Sequence, residues 1–249
     1  FLLIMAVLSF AGVPLARHMP AFVDSRGEPN ADAVEMSAPY KSTALLGVLA
    51  YNIAQGIAWA YLFLIGTHAG IADQHVANAL TISQVIAIAG ALTAFMLGTR
   101  LGRSAPLLVG IAGAAASLVP LMGQVSLAPY VVAVCGFNYL WNMVLPYILG
   151  SVASYDRRGM MVVYAVAAQM IGLGIGPALG AYAVTGEGFD RTLELSFGLF
   201  VLSLVLLMIP LSRHAALRAA HRAQTNAGSM PGSGGTAAAT SLSTDKSSA

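Results

Sequence analysis

Residues 129–151, PYVVAVCGFNYLWNMVLPYILGS, contain no Asp, Glu, Lys or Arg. A helix needs roughly 20 mainly apolar residues to cross the hydrocarbon core of a bilayer, and this stretch has that length. Five further runs read the same way: 42–65, 76–97, 105–123, 160–184 and 193–211, the last with Glu194 near its edge. Of the 249 residues, 57% are hydrophobic and only 9% charged, with a mean hydropathy of +0.76. An ordinary soluble domain carries about 25% charged residues, so the composition implies an all-α polytopic membrane protein. A seventh, shorter run at 1–16, FLLIMAVLSFAGVPLA, starts at Phe1 rather than at a methionine. Its lack of a basic leader and of a small-residue cleavage site makes it read as the end of a truncated membrane helix, not a secretory signal.

The net charge of +2 gives no strong pull toward nucleic acid. The positions of the charges are more informative. Eleven of the twelve Lys and Arg fall in one alternate set of connections: Arg17, Arg26 and Lys41, then Arg100 and Arg103, then Arg157 and Arg158, then Arg213, Arg218, Arg222 and Lys246; only Arg191 lies in the other set. The positive-inside rule makes the first set cytoplasmic and keeps the alternation through all seven runs. This predicts a multi-pass protein of the cell membrane with a cytoplasmic C-terminus. The loop at 17–41 is the longest connection. The later loops are short and require antiparallel neighbours, which predicts a six-helix bundle over 42–211. Residues 212–225 read as a basic interfacial helix, and the Gly, Ser, Ala and Thr that dominate the rest of the 212–249 tail predict disorder after about 225. The single cysteine, Cys135, sits inside a span and reads as a packing residue.

Polar groups inside spans must face protein or a water-filled cavity. At 100° per residue, Asn52, Gln55 and Trp59 fall within a 60° arc of one helix. Asn138, Trp141 and Asn142 point broadly one way on another. Thr81 and Gln84 repeat the pattern more weakly. These residues are expected to line a cavity in which amides hydrogen-bond a solute, while Trp59, Trp141 and Tyr139 offer flat apolar or cation-attracting faces. The competing expectation is that the amides only bond neighbouring helices to one another. In QMIGLGIGPALGAY, Gly172, Gly176 and Gly180 recur every four residues and make a smooth ridge for close helix approach, with Gly174 and Pro177 adding bendability. Pro146 is placed to bend its helix below the Asn and Trp cluster. No acid, base or His lies deep in a span, and there is no metal-ligand cluster, catalytic triad or glycine-rich phosphate loop. The chain is therefore expected to be neither an enzyme nor an ATP-driven motor, and to need no cofactor.

One helix, a long loop, six helices and a tail resemble the second half of a major facilitator superfamily transporter. The loop TRLGRS at 99–104 is similar to that family's Asp-Arg-x-Gly-Arg-Arg/Lys motif at Arg100, Gly102 and Arg103, and departs from it at Thr99 and Ser104. The ridge GLGIGPALG resembles the glycine and proline motif of exporters, placed here in the family's eleventh helix rather than its fifth. The resemblance covers 1–211. It implies a six-helix half-bundle preceded by the end of one further helix, with the first five helices missing and an N-terminal six-helix half as partner. It also implies two halves rocking about a midplane site. Asn52, Gln55 and Trp59 would line that site from the seventh helix and Asn138, Trp141 and Asn142 from the tenth. Arg100 and Arg103 would form a cytoplasmic latch, with Asp156 supplying the acid that Thr99 does not. The function implied is secondary transport of a small organic solute across the bilayer, in the direction of export. A receptor or scaffold with the same fold, or a half-size dimeric unit, is the alternative that the same spans allow.

Overall fold

The computed structural model describes residues 33–98, 100, 102–184 and 188–228, with side chains to 219. The helix end expected at 1–16, most of the 17–41 loop, Thr99 and the tail after 228 lie outside the described residues. Six helices follow one another: α1 (Ala38–His68), α2 (Asp73–Leu97), α3 (Ser104–Ala116, followed by a 3-10 turn at Val119–Leu121), α4 (Leu127–Ala153), α5 (Met160–Ala183) and α6 (Asp190–Gly228). All six, the third counted with its 3-10 turn, are long and apolar enough to cross a membrane. The fold is that of an all-α polytopic membrane protein.

The helix ends follow from local chemistry. Extended Ser37 and Pro39 start α1, so that the last four residues of the expected loop are helical, because proline is preorganised for a first turn and has no N–H to leave unpaired. Gly98, at φ +49°, stops α2. The third span was expected to be continuous over 105–123 but is broken. Ser117 Oγ bonds the Gly113 carbonyl at 2.8 Å, and Pro120 supplies no N–H to continue an α-helix, so the chain tightens into the 3-10 turn. In the other direction, α6 continues to Gly228, slightly beyond the start of the expected disorder.

The main helix pairs are α1 with α5 and α6, α2 with α4, and α3 with α4 and α6, while α1 and α4 meet at the centre. Small residues set these pairings, as they must where lipid gives helices no hydrophobic reason to associate. A Cβ on Gly176 would lie 2.7 Å from the Ile53 carbonyl, and one on Gly90 would overlap the Tyr139 carbonyl. Hydroxyls fix the seams further. Ser196 Oγ donates to the Ala54 carbonyl at 2.8 Å, Ser203 Oγ to Gly47 at 2.9 Å and Tyr130 Oη to Leu62 at 2.9 Å.

The two most similar seams are copies of each other. A shift of 86 positions, the distance from Asn52 to Asn138, carries the ranges of α1–α3 onto those of α4–α6 and pairs the close approaches of the α2–α4 seam with those of the α1–α5 seam. Gly90 against the Tyr139 carbonyl becomes Gly176 against the Ile53 carbonyl, and Tyr147 beside Ala94 becomes Tyr61 beside Gly180. Tyr51 and its counterpart Phe137 both pack on Phe200, at 5.6 and 6.3 Å between ring centroids. Three helices is an odd number, so the second copy crosses in the opposite sense to the first. The six described helices therefore read as two three-helix units of opposite sense, an inverted repeat.

Candidate functional site

The α1 and α4 helices meet through their tryptophans. Trp59 and Trp141 pack edge to face at 6.1 Å and 62°. Trp141 also touches Phe137 at 6.2 Å, and Phe137 touches Phe200. An aromatic chain therefore runs from Trp59, which is 38% exposed, through half-buried Trp141 into the core at Phe137, Phe200 and Tyr51. Each such pair contributes about 0.5–1.5 kcal/mol beyond area burial. The two stripes expected from the sequence do meet, through their tryptophans.

The amides are set behind this chain. Asn52 is buried and donates Nδ2 to the Val48 carbonyl of its own helix at 2.8 Å. Gln55 is fully buried and donates Nε2 to Tyr51 Oη at 2.9 Å. The oxygens of both amides, Asn52 Oδ1 and Gln55 Oε1, are buried without a protein donor. Asn138 donates Nδ2 to Ser83 Oγ at 2.9 Å across the α2–α4 seam, so this amide acts as an interhelical link. Asn142 is half-buried and bonds only its own helix, Nδ2 to the Asn138 carbonyl at 3.0 Å. Pro146, one turn on, has no N–H to return to the Asn142 carbonyl. Asn142 thus combines a half-buried side chain with a carbonyl that the helix ladder leaves unused.

The structure does not bring Gln84 and Thr81 to this cluster. Both are exposed on α2, and Thr81 bonds only its own helix, to the Ala77 carbonyl. The buried face of α2 runs through Val76, Ala79, Ser83, Ala87, Gly90 and Ala94. That line of small residues at three- and four-residue spacing is visible in the sequence and selects Ser83, one position and 100° away from Gln84. Gln169, the counterpart of Ser83 by the 86-residue shift, is buried on α5 and was likewise not picked out.

The ridge residues sit against α1. A Cβ on Gly172 would meet Asn52 Cβ at 2.8 Å, and one on Gly180 would meet the Tyr61 ring at 2.6 Å; Tyr61 Oη donates to the Pro177 carbonyl at 3.1 Å. Gly172, Gly176, Pro177 and Gly180 are therefore one packed seam directly behind the amide of Asn52.

At the basic end of the bundle the expected latch is rearranged. Asp156 pairs with Lys41, at 3.9 Å, and not with Arg100 or Arg103. Lys41 also bonds Glu35. Residues 33–36 lie along the α4–α5 turn, with Val34 N and Met36 N donating to the Ser154 and Tyr155 carbonyls. This brings Lys41 to Asp156 first. Arg100 is exposed, as is Gly102 at φ +70°. The charge of Arg103 acts on Tyr155 and His214. Glu35, Lys41, Asp156 and Arg157 line a cleft of about 610 Å³.

Asp156 also caps α5, accepting from Arg158 N at 3.2 Å and Met160 N at 2.8 Å. Burial pushes its carboxyl pKa up, but these amides and the Lys41 charge outweigh burial and hold it below the usual carboxylate range. Because the folded pKa is lowered, the stabilisation is present above the unfolded value and is lost as pH falls through the folded one. Asp156→Ala is expected to cost about 1–2 kcal/mol at neutral pH, the range for a lost N-cap. In thermal unfolding the gap between wild type and variant should close below about pH 4. A gap independent of pH would mean that the carboxylate charge is not what stabilises the turn.

A comparison of the chain with protein-family models, with curated proteins and with solved structures finds no match. Among the described residues, no group of three His, Cys, Asp or Glu comes together to hold a metal ion.

Proposed function

We propose that this chain is the C-terminal half of a major-facilitator-type secondary transporter that carries a small, neutral or amphipathic organic solute, in the direction of export. The observation that carries the reading is the α1–α4 face. It combines the Trp59–Trp141 pair with the half-buried Asn142 amide, and two unsatisfied amide oxygens lie behind it. Flat rings with a few polar groups are the chemistry that a small-solute site uses. The inverted repeat supports alternating access, because its matched glycine seams let α1 and α4 move with their partners as units. An N-terminal half would cover the faces of α2 and α5, the least buried of the helices with α6 next. In this reading the basic end is cytoplasmic.

Solute flux in the full-length protein tests the proposal. Asn142 makes no bond to another helix, so Asn142→Ala is expected to change stability by less than about 0.5 kcal/mol. Loss of a solute hydrogen bond should still slow transport about tenfold, which corresponds to about 1.4 kcal/mol. Unchanged flux at equal membrane levels would take the amide out of the pathway.

A further inference from the structure

Three polar atoms at the basic end are buried and have no protein partner: Arg103 Nη1 at the start of α3, Ser151 Oγ near the end of α4 and His214 Nε2 on α6. Ser151 is 3% exposed and His214 4%. All three are linked to Tyr155. Ser151 lies one helical turn before it, the His214 ring packs on it at 5.4 Å, and the Arg103 charge reaches both Tyr155 and His214. Arg218 adds a second positive charge acting on His214. The acids at this end among the described residues, Glu35 and Asp156, are engaged with Lys41 and with the amides of the α4–α5 turn. A buried cationic nitrogen without an acceptor is costly, and here it stands beside a hydroxyl and an imidazole that also lack partners.

We infer that Arg103, Ser151 and His214 form a binding site for a phosphate-class oxyanion, supplied as a phospholipid headgroup or as free phosphate. Arg103 Nη1 at the start of α3, a hydroxyl on α4 and an imidazole on α6 offer three donors from three elements, which suits a tetrahedral anion with several acceptor oxygens. The position favours a headgroup, since basic pockets between membrane helices at the positively charged side of a bundle recognise anionic lipids. Binding is coupled to a proton. The His214 ring already bonds the Ser154 carbonyl, so its free Nε2 becomes a donor only when the ring is protonated. The described groups that face the ring are cationic Arg103 and Arg218 and uncharged Tyr155, so none of them is an acid that would pair with it before an anion arrives.

The test is native mass spectrometry of the full-length protein released from nanodiscs of phosphatidylglycerol or of phosphatidylcholine, with a parallel titration of inorganic phosphate. It reads binding without flux, so its failure is separate from failure of the transport reading. The expected result is retention of phosphatidylglycerol over phosphatidylcholine, weakened at least about tenfold in Arg103→Gln and several-fold in Ser151→Ala, and tighter near pH 6 than near pH 8, either side of the ordinary imidazole pKa. Arg100→Gln, which removes an exposed charge from the same loop, should leave binding within about twofold, since screened surface charges contribute little. Should Arg103→Gln fail to fold, Ser151→Ala and the pH dependence still decide. Binding of inorganic phosphate with no lipid preference would support the site and assign it to the free anion. Equal losses in Arg100→Gln and Arg103→Gln, or no binding of either probe, would overturn it and leave a pocket filled by water or by an acid from another part of the protein.

Discussion

Gly90→Ala is expected to prevent stable folding. The added Cβ would overlap the Tyr139 carbonyl, a backbone atom of α4 that cannot rotate aside, so α2 and α4 would have to separate. Separation would also stretch the Asn138–Ser83 bond at 2.9 Å and the Tyr139 Oη–Thr93 Oγ1 bond at 2.9 Å, which lie on the same seam. Overpacking costs about 1–3 kcal/mol in a compliant core. The value here should lie at or above the top of that range because the obstacle is main chain. Gly176→Ala, the counterpart change, meets the Ile53 carbonyl at 2.7 Å and should be milder. Gly174→Ala meets nothing and should be neutral or should stabilise by up to about 1 kcal/mol through helix propensity. Thermal unfolding and size-exclusion profiles of the three variants check the series. A Gly90→Ala protein as stable as Gly174→Ala would show that the α2–α4 approach is not tight.

Trp141→Ala carries the largest expected effect on transport. Its ring links Trp59 to Phe137, so truncation breaks the aromatic chain at its midpoint and opens the site into the core. A fully buried Trp→Ala change costs about 3–5 kcal/mol. Trp141 is only half-buried, so the variant should lose less than this and still fold. Flux is expected to fall by more than about tenfold, or about 1.4 kcal/mol in transport barrier. Trp141→Phe keeps a ring against Trp59 and should recover most of it. A double-mutant cycle with Trp59→Ala should show coupling in flux, because the two rings form one surface. Additive effects would mean that the tryptophans act separately, and normal flux with Trp141→Ala would remove the aromatic face from the mechanism.

Several features were legible in the sequence because they depend on residue type and local period alone. Six apolar lengths with almost no charge inside them were enough for the membrane fold. The period of 3.6 residues placed Asn52 with Trp59 and Asn138 with Trp141, and the structure joins the two stripes through the rings. The polar stripe on α2 was misplaced because Gln84 is the more conspicuous residue. Burial follows the line of small residues through Ser83 instead. The break after Ala116 was missed because a hydropathy window does not register the N–H that Pro120 lacks.

Pairing across distance was not legible. Nothing local indicates that Lys41 rather than Arg103 meets Asp156, because the choice is made by residues 33–36 lying along the α4–α5 turn. The 86-residue repeat was also hidden. It preserves which positions approach a partner's backbone, while their identities change from Tyr51 to Phe137 and from Ile53 to Tyr139. Sequence alone determined that the chain is a multi-pass membrane protein and which faces of α1 and α4 carry amides and rings. Tertiary structure decided which of those amides is used up as a helix link, at Asn138, and which stay available, at Asn52, Gln55 and Asn142. The physical reason is that whether a buried amide is satisfied depends on what the neighbouring helix places opposite it, and no local period records that.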